Sequence, residues 1–109
     1  MSEEKAKAMR FNKNKLSWSL VDFESMESMV EVLMFGAKKY ERHNWKSGLD
    51  VDEVCESLAR DLFAFMNGED KDKESGLSHI GHIQCNSMFL SYMMKHKPEL
   101  DKRYINPKQ

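Results

Sequence analysis

The sequence is short of the residues that break helices. Its only prolines, Pro98 and Pro107, fall near the C-terminal end, so nothing before residue 97 forbids a helix. No alternating polar and apolar stretch is long enough to argue for a sheet, and no repeat or low-complexity segment is visible. Cysteine is scarce too. Cys55 and Cys85 both fall inside apolar periodic segments and read as small buried hydrophobes in a reducing compartment, not as a disulfide framework. There is no apolar run of about 18 residues, the length that marks a membrane span. The N-terminal stretch is charged and polar, without the apolar core of a signal peptide, so the expected location is the cytoplasm. A strong charge of one sign is also missing. Lysine plus arginine number 17 against 18 aspartate plus glutamate, a net charge of -1. That balance gives no electrostatic reason to expect nucleic acid or an anionic membrane as partner. The one basic stretch, 5–15, reads as a solvated arm. Neither a Walker-type glycine-lysine loop nor a Rossmann glycine cluster is present, so any phosphate binding depends on side chains and metal.

What is there is helical periodicity. With 40% hydrophobic and 32% charged residues in 109, the chain suits one globular domain with a modest core. A helix is expected over 22–40, with Asp22 as a candidate N-cap. At about 100° per residue, Phe23, Met26, Met29, Val30, Leu33, Met34, Ala37 and Tyr40 share one broad apolar face. Glu24, Glu27 and Glu31 stack on a narrow arc beside it, where like charges repel unless something positive sits opposite. A second helix is expected from residue 50 or 52 to 66, closed by Asn67 and Gly68. Its apolar side holds Val54, Cys55, Leu58, Ala59, Leu62, Phe63, Phe65 and Met66, with Asp61 at the edge and Arg60 on the polar side. The polar connection 69–76 resembles a calcium loop in its alternating oxygens, but the twelve-residue spacing is absent, which argues against a dedicated calcium site.

A third helix is expected over 77–96. His79, His82 and Asn86 share a side with Ile83, Leu90 and Met93, which turns the imidazoles toward the interior. Ile80, Met88, Phe89, Tyr92 and Met94 make this helix apolar nearly all round, so it needs two partners. Three helices of this length bury little surface alone. The expected architecture is therefore all-α, a small helical bundle completed by homo-oligomerisation, either a homodimer or a dimer of dimers. The expected organisation is a basic arm over 1–21, a helical domain over 22–96 and a tail over 97–109.

Clustered carboxylates call for a cation. Magnesium, or manganese, takes oxygen ligands and leaves room for a substrate's phosphates. Lys38, Lys39 and Arg60 are candidate phosphate partners. His43, Asn44 and Trp45 offer an aromatic face for a base and an amide for its edge, although packing and solvation are the bland alternatives for each residue.

Ordered motifs across 10–92 then carry a family resemblance. They comprise Arg10-Phe11-Asn12 with Lys15, then Phe35-Gly36-Ala37-Lys38-Lys39-Tyr40 followed by Asn44-Trp45. Further on come Leu58 to Phe65 with Arg60, the turn Gly68-Glu69-Asp70, the run Glu74-Ser75-Gly76-Leu77-Ser78-His79-Ile80-Gly81-His82, and finally Asn86 and Phe89-Leu90. In these the chain resembles the phage and bacterial dATP/dGTP diphosphohydrolase domain, a branch of the MazG-like all-alpha nucleoside triphosphate pyrophosphohydrolases. The resemblance implies a magnesium-dependent hydrolase that releases pyrophosphate from a purine deoxynucleoside triphosphate, working in a host's cytoplasm if phage-encoded. It implies metal ligands among Glu24, Glu27, Glu31, Asp61, His79 and His82, with Glu27, Glu31, Asp61 and His79 as the catalytic groups. Lys15, Lys38, Lys39, Asn44, Trp45, Arg60 and Asn86 are its substrate-binding candidates. The branch commonly carries histidine where this chain has Asp61, and the second acidic pair of the superfamily is not plainly present. Two alternatives stand beside the enzyme: a protein that binds or sequesters a nucleotide without turnover, and a helical interaction module.

Overall fold

A computed structural model describes residues 7–11 and 13–107. Lys5 and Asn12, both in the expected basic arm, and the last two residues of the expected tail lie outside the described residues. Three helices make the body: α1 Glu27–Lys39, α2 Val51–Met66 and α3 His79–His96, with short 3-10 turns at Trp18–Leu20, Glu24–Met26, Asn44–Ser47 and Pro98–Leu100. No strand occurs among the described residues, only a single antiparallel bridge between Lys71 and Ser78. The expected all-α class holds. Among the described residues no helix is long and apolar enough to cross a membrane.

The helix ends follow local chemistry. Asp22 does cap, but it caps a 3-10 turn: its carboxylate accepts the Ser25 amide at 3.2 Å and the Ser25 hydroxyl, and α1 itself begins only at Glu27. The expected start at residue 22 is therefore early by five residues, because apolar periodicity cannot separate one 3-10 turn from the first turn of an α-helix. Lys38 and Lys39 close α1, where cations suit the carbonyl end of the helix dipole. Asp50 precedes α2 in extended conformation, and Asp52 and Glu53 occupy its first turn. At the other end Gly68, with φ 93°, reverses the chain. Its amide bonds the Phe65 carbonyl and the next amide, Glu69, reaches back to Ala64, both at 3.0 Å. That pair of bonds is a Schellman cap, and it fixes the direction in which the following loop departs. Ser78 caps α3 through its hydroxyl, which accepts from the Ile80 and Gly81 amides at 3.1 and 3.3 Å.

α3 is the middle helix, and α1 and α2 each pack on it. Their shared core is small: Met29 from α1, Val51 and Val54 from α2, Cys85 and Met93 from α3. Burial keeps the Cys85 thiol neutral, pushed up to about 12, and both cysteines are free, as expected. Gly81 lets α1 approach closely. A Cβ there would stand 2.5 Å from the Ser28 carbonyl oxygen.

The apolar stripes of the outer helices are wider than one neighbour covers. Of the faces expected to be buried, Phe23, Val30, Met34, Tyr40, Leu62, Phe63, Phe65 and Met66 are exposed in the single chain, with Met66 at 70%. The positions share a face as expected, but each outer helix packs chiefly on α3, and one contact line cannot cover an arc that broad. The Cα radius of gyration is 19.2 Å, against about 13 Å for a compact domain of this length.

Gly81→Ala should therefore destabilise the fold by about 1–3 kcal/mol, since backbone and not a flexible side chain must move. Gly36→Ala, with nothing within 4 Å of its Cβ, should stabilise by up to about 1 kcal/mol through helix propensity. Thermal melts of the two variants check the pair. A Tm unchanged by Gly81→Ala would show that the helices are not in close contact there.

Candidate metal centre and the adjoining cleft

Asp61 sits one turn and a half before the end of α2, and His79 is the first residue of α3. The packing of these helices brings the Asp61 carboxylate to 2.8 Å from His79 Nδ1. The connecting loop then adds acids that helical periodicity does not reach. The Asp70 carbonyl accepts the His79 amide at 2.9 Å, and the Asp72 amide donates to the Leu77 carbonyl at 2.7 Å. Gly76, with φ 74°, lets its amide close back on the Asp72 carbonyl at 2.7 Å. This tight loop turns Asp72 inward, so that ligand atoms of Asp61, Asp72 and His79 all lie within 4.8 Å of one another. Glu69, just past the Schellman cap, places an oxygen 3.7 Å from His79 Nε2.

His79 is 4% exposed, and its Nε2 is buried without a hydrogen-bond partner. With Nδ1 donating to Asp61, Nε2 holds a lone pair directed among carboxylates. A buried polar atom left unpaired costs roughly 1–3 kcal/mol, which a cation or a proton would relieve. The hydrogen bond to Asp61 is the main force raising the His79 pKa, against desolvation, with the charges of Asp61, Glu69 and Asp72 adding to it. Asp72 is held below the usual carboxylate value, chiefly by the Ser75 amide at 2.8 Å. Desolvation opposes that bond, while the Ser75 hydroxyl and the two histidines assist it. In such an arrangement a carboxylate bonded to one ring nitrogen orients the other toward a metal.

Beside this cluster an open cleft of ≈ 980 Å³ runs between α1, the 3-10 turn at Asn44–Ser47 and α3. Among the sequence-derived candidates, Lys38, Asn44, Trp45, His82 and Asn86 all line it. Arg42, His43 and Lys46 add donors, and Glu41 is the one acid on the wall among the described residues. Trp45 is part of an aromatic cluster on α3, with Phe89 at 4.7 Å and Tyr92 at 4.9 Å between ring centroids. His43 takes a left-handed conformation, φ 63°, where the chain turns into the cleft wall.

The remaining candidates stand elsewhere. Lys15 is exposed in the arm, Lys39 lies 5.5 Å over the Tyr40 ring, and Arg60 bonds Ser57 at 3.2 Å on the outer side of α2. Glu24, Glu27 and Glu31 are exposed, and none belongs to the cluster or to the cleft wall among the described residues. Asp72 and Glu69 were missing from the residues singled out by spacing. The resemblance ran through both sides of that loop, and an Asp followed three residues later by Ser, bracketed by Gly68 and Gly76, was the local signal for an ordered turn.

The family described as "dATP/dGTP diphosphohydrolase, N-terminal" matches residues 5–103. A protein of Salmonella phage PMBT28 named dATP/dGTP diphosphohydrolase is 30% identical over 95 residues, which is 87% of this chain. The chain spans 32% of that relative's length. No solved structure matches.

His79 predicts a pH dependence of the metal-free fold. Its pKa is raised on folding, so its contribution to stability is complete below the ordinary value of 6.5 and is lost as pH climbs through the folded value. In chelator, Tm should fall as pH rises from about 6 to about 9. His79→Gln should flatten that slope. The same slope in the variant would remove His79 as its source.

Proposed function

The chain belongs to the N-terminal family of dATP/dGTP diphosphohydrolases, and from that premise we propose that it hydrolyses a purine deoxynucleoside triphosphate, with a divalent cation seated beside His79 Nε2 in the cluster of Asp61, Asp72 and His79. The observation that carries the proposal is His79 Nε2, buried and unpartnered beside carboxylates. The donor set is mixed. Carboxylate oxygens suit magnesium, and the imidazole shifts the preference toward manganese.

A cation bound there supplies charge for phosphate oxygens and lowers the pKa of a water. The chain's own groups do the rest. Asp61 fixes the tautomer and orientation of His79. The Ser75 amide keeps Asp72 ionised and in place. Lys38 and Arg42 on the cleft wall offset the negative charge of a triphosphate, while the amides of Asn44 and Asn86 and the free surface of Trp45 meet the base. In the net reaction an oxygen of water bonds to phosphorus, the bond from that phosphorus to the departing pyrophosphate breaks, and the nucleoside monophosphate remains. The apolar faces left open on α1 and α2 pair with a second copy in this proposal, giving a homodimer or a dimer of dimers. Lys15, Lys39 and Arg60, away from the cleft of one chain, contact substrate only in such an assembly.

The test is product identification with dATP and dGTP, with magnesium, manganese or chelator, on preparations whose mass is fixed by sedimentation. Metal-dependent release of pyrophosphate from a particle of two or four chains is expected. Asp72→Asn should lower kcat by about a hundredfold or more. Glu27→Gln decides the place of the α1 glutamates: an equally deep loss puts them in the metal shell, and near-normal turnover leaves the cation to the cluster. Nucleotide binding with no product over hours would instead mark a sequestering protein, and neither binding nor turnover would leave a helical interaction module.

A further inference from the structure

The segment before α1 packs on nothing in its own chain. Every described residue from 7 to 25 is exposed. Phe11 at 80% and Trp18 at 68% stand largely in water, and Leu16 and Leu20 with them. Apolar side chains of that size, left open together, mark a surface that meets a partner. Four cations are interleaved with them, Lys7, Arg10, Lys13 and Lys15, and none makes an ion pair among the described residues. The opposite character stands on α1 and the turn before it. Glu24, Glu27 and Glu31 are exposed, also without an ion pair among the described residues, and Phe23, Val30 and Met34 beside them are open as well. Carboxylates stacked three and four residues apart repel until a cation lies against them. The arm and the acidic arc thus share one pattern, apolar groups interleaved with charge, and differ in sign.

We propose that this basic arm docks along the acidic arc of α1 in a second copy of the chain, and that the second arm returns the contact by two-fold symmetry. The reach is sufficient. Extended, residues 7–16 span about 30 Å, against a length of roughly 20 Å for the 13 residues of α1. Phe11 and Trp18 are the anchors that cover the apolar positions, and the cations set the register against the glutamates. The exit of the arm favours a neighbour over its own helix. Two successive 3-10 turns are closed by the Val21 amide on the Trp18 carbonyl and the Met26 amide on the Phe23 carbonyl, both at 3.0 Å, with the Asp22 cap between them. They lead the arm off the body, and the chain measures 61 Å in its longest dimension. The inference rests on the pairing of copies proposed above and is independent of the reaction.

Sedimentation of the full chain in chelator, with charge-reversed variants, tests the contact. Arg10→Glu with Lys13→Glu turns the arm acidic, and Glu27→Lys with Glu31→Lys turns α1 basic. The wild type should associate, with a dissociation constant that rises with salt, and each double variant should weaken association by about tenfold or more. Mixed in equal amounts, the two variants should recover the wild-type affinity as a heterodimer, because each arm then faces charge of the opposite sign. Carbodiimide cross-linking of an equal mixture of isotopically light and heavy wild type should join Lys13 to an α1 glutamate between chains of different mass. That measurement uses the wild type alone, so it decides the matter even where a reversed chain fails to fold. Links confined to single chains would place the arm on its own helix and overturn the inference. Association indifferent to all four reversals would overturn it while leaving the pairing of copies standing, and a monomer throughout would overturn both. None of these readings uses turnover, so the proposed reaction stands or fails separately.

Discussion

The hydrogen bond between Asp61 and His79 is the constraint on which the rest of the site depends. It ties the last turns of α2 to the first residue of α3 at 2.8 Å, with His79 itself buried. Because Nδ1 is committed to Asp61, Nε2 must point the other way, toward Glu69 and into the acidic cluster. A histidine placed there by packing alone would be free to turn over. The carboxylate removes that freedom, and the loop between the two helices has to close around the ring that results.

The loop closes through backbone geometry more than through side chains. Gly68 and Gly76, both at positive φ, bracket it. The Schellman cap at one end sets where Glu69 emerges, and the Ser78 cap at the other starts α3 with His79 already facing inward. Between them Asp72 and Ser75 bond to each other, so that one short segment orders an acid for the cluster and a hydroxyl for the cleft. The acidic cluster and the donor-lined cleft are thereby placed side by side, the juxtaposition that the proposed reaction on a metal-bound polyphosphate requires.

The extent to which the sequence revealed this varies with the local physics. The three helices follow from periodicity, and α2 ends where Asn67 and Gly68 indicate, because a cap is a local event. Asp61 and His79 were accessible, the first as an acid at the edge of an apolar arc and the second as an imidazole on an inward face. Asp72 was not, because its orientation arises from three loop hydrogen bonds with no period to read. The glutamates of α1 show the converse: Glu24, Glu27 and Glu31 form a plain arc in the sequence, yet they stand exposed in the single chain. Apolar faces were legible as faces, but burial is a property of what lies opposite. Phe63 and Met66 share their stripe with Val54, and only Val54 meets α3 closely enough to leave solvent.

The central claim is that Asp61, Asp72 and His79 form a seat for one divalent cation, with nitrogen as well as oxygen in its shell. Pulsed electron paramagnetic resonance of the protein titrated with manganese reads that shell without any turnover. The account predicts one bound manganese per chain with a coupling to imidazole nitrogen that disappears in His79→Gln. A manganese ion bound with no nitrogen coupling, or a coupling untouched by that substitution, would contradict it.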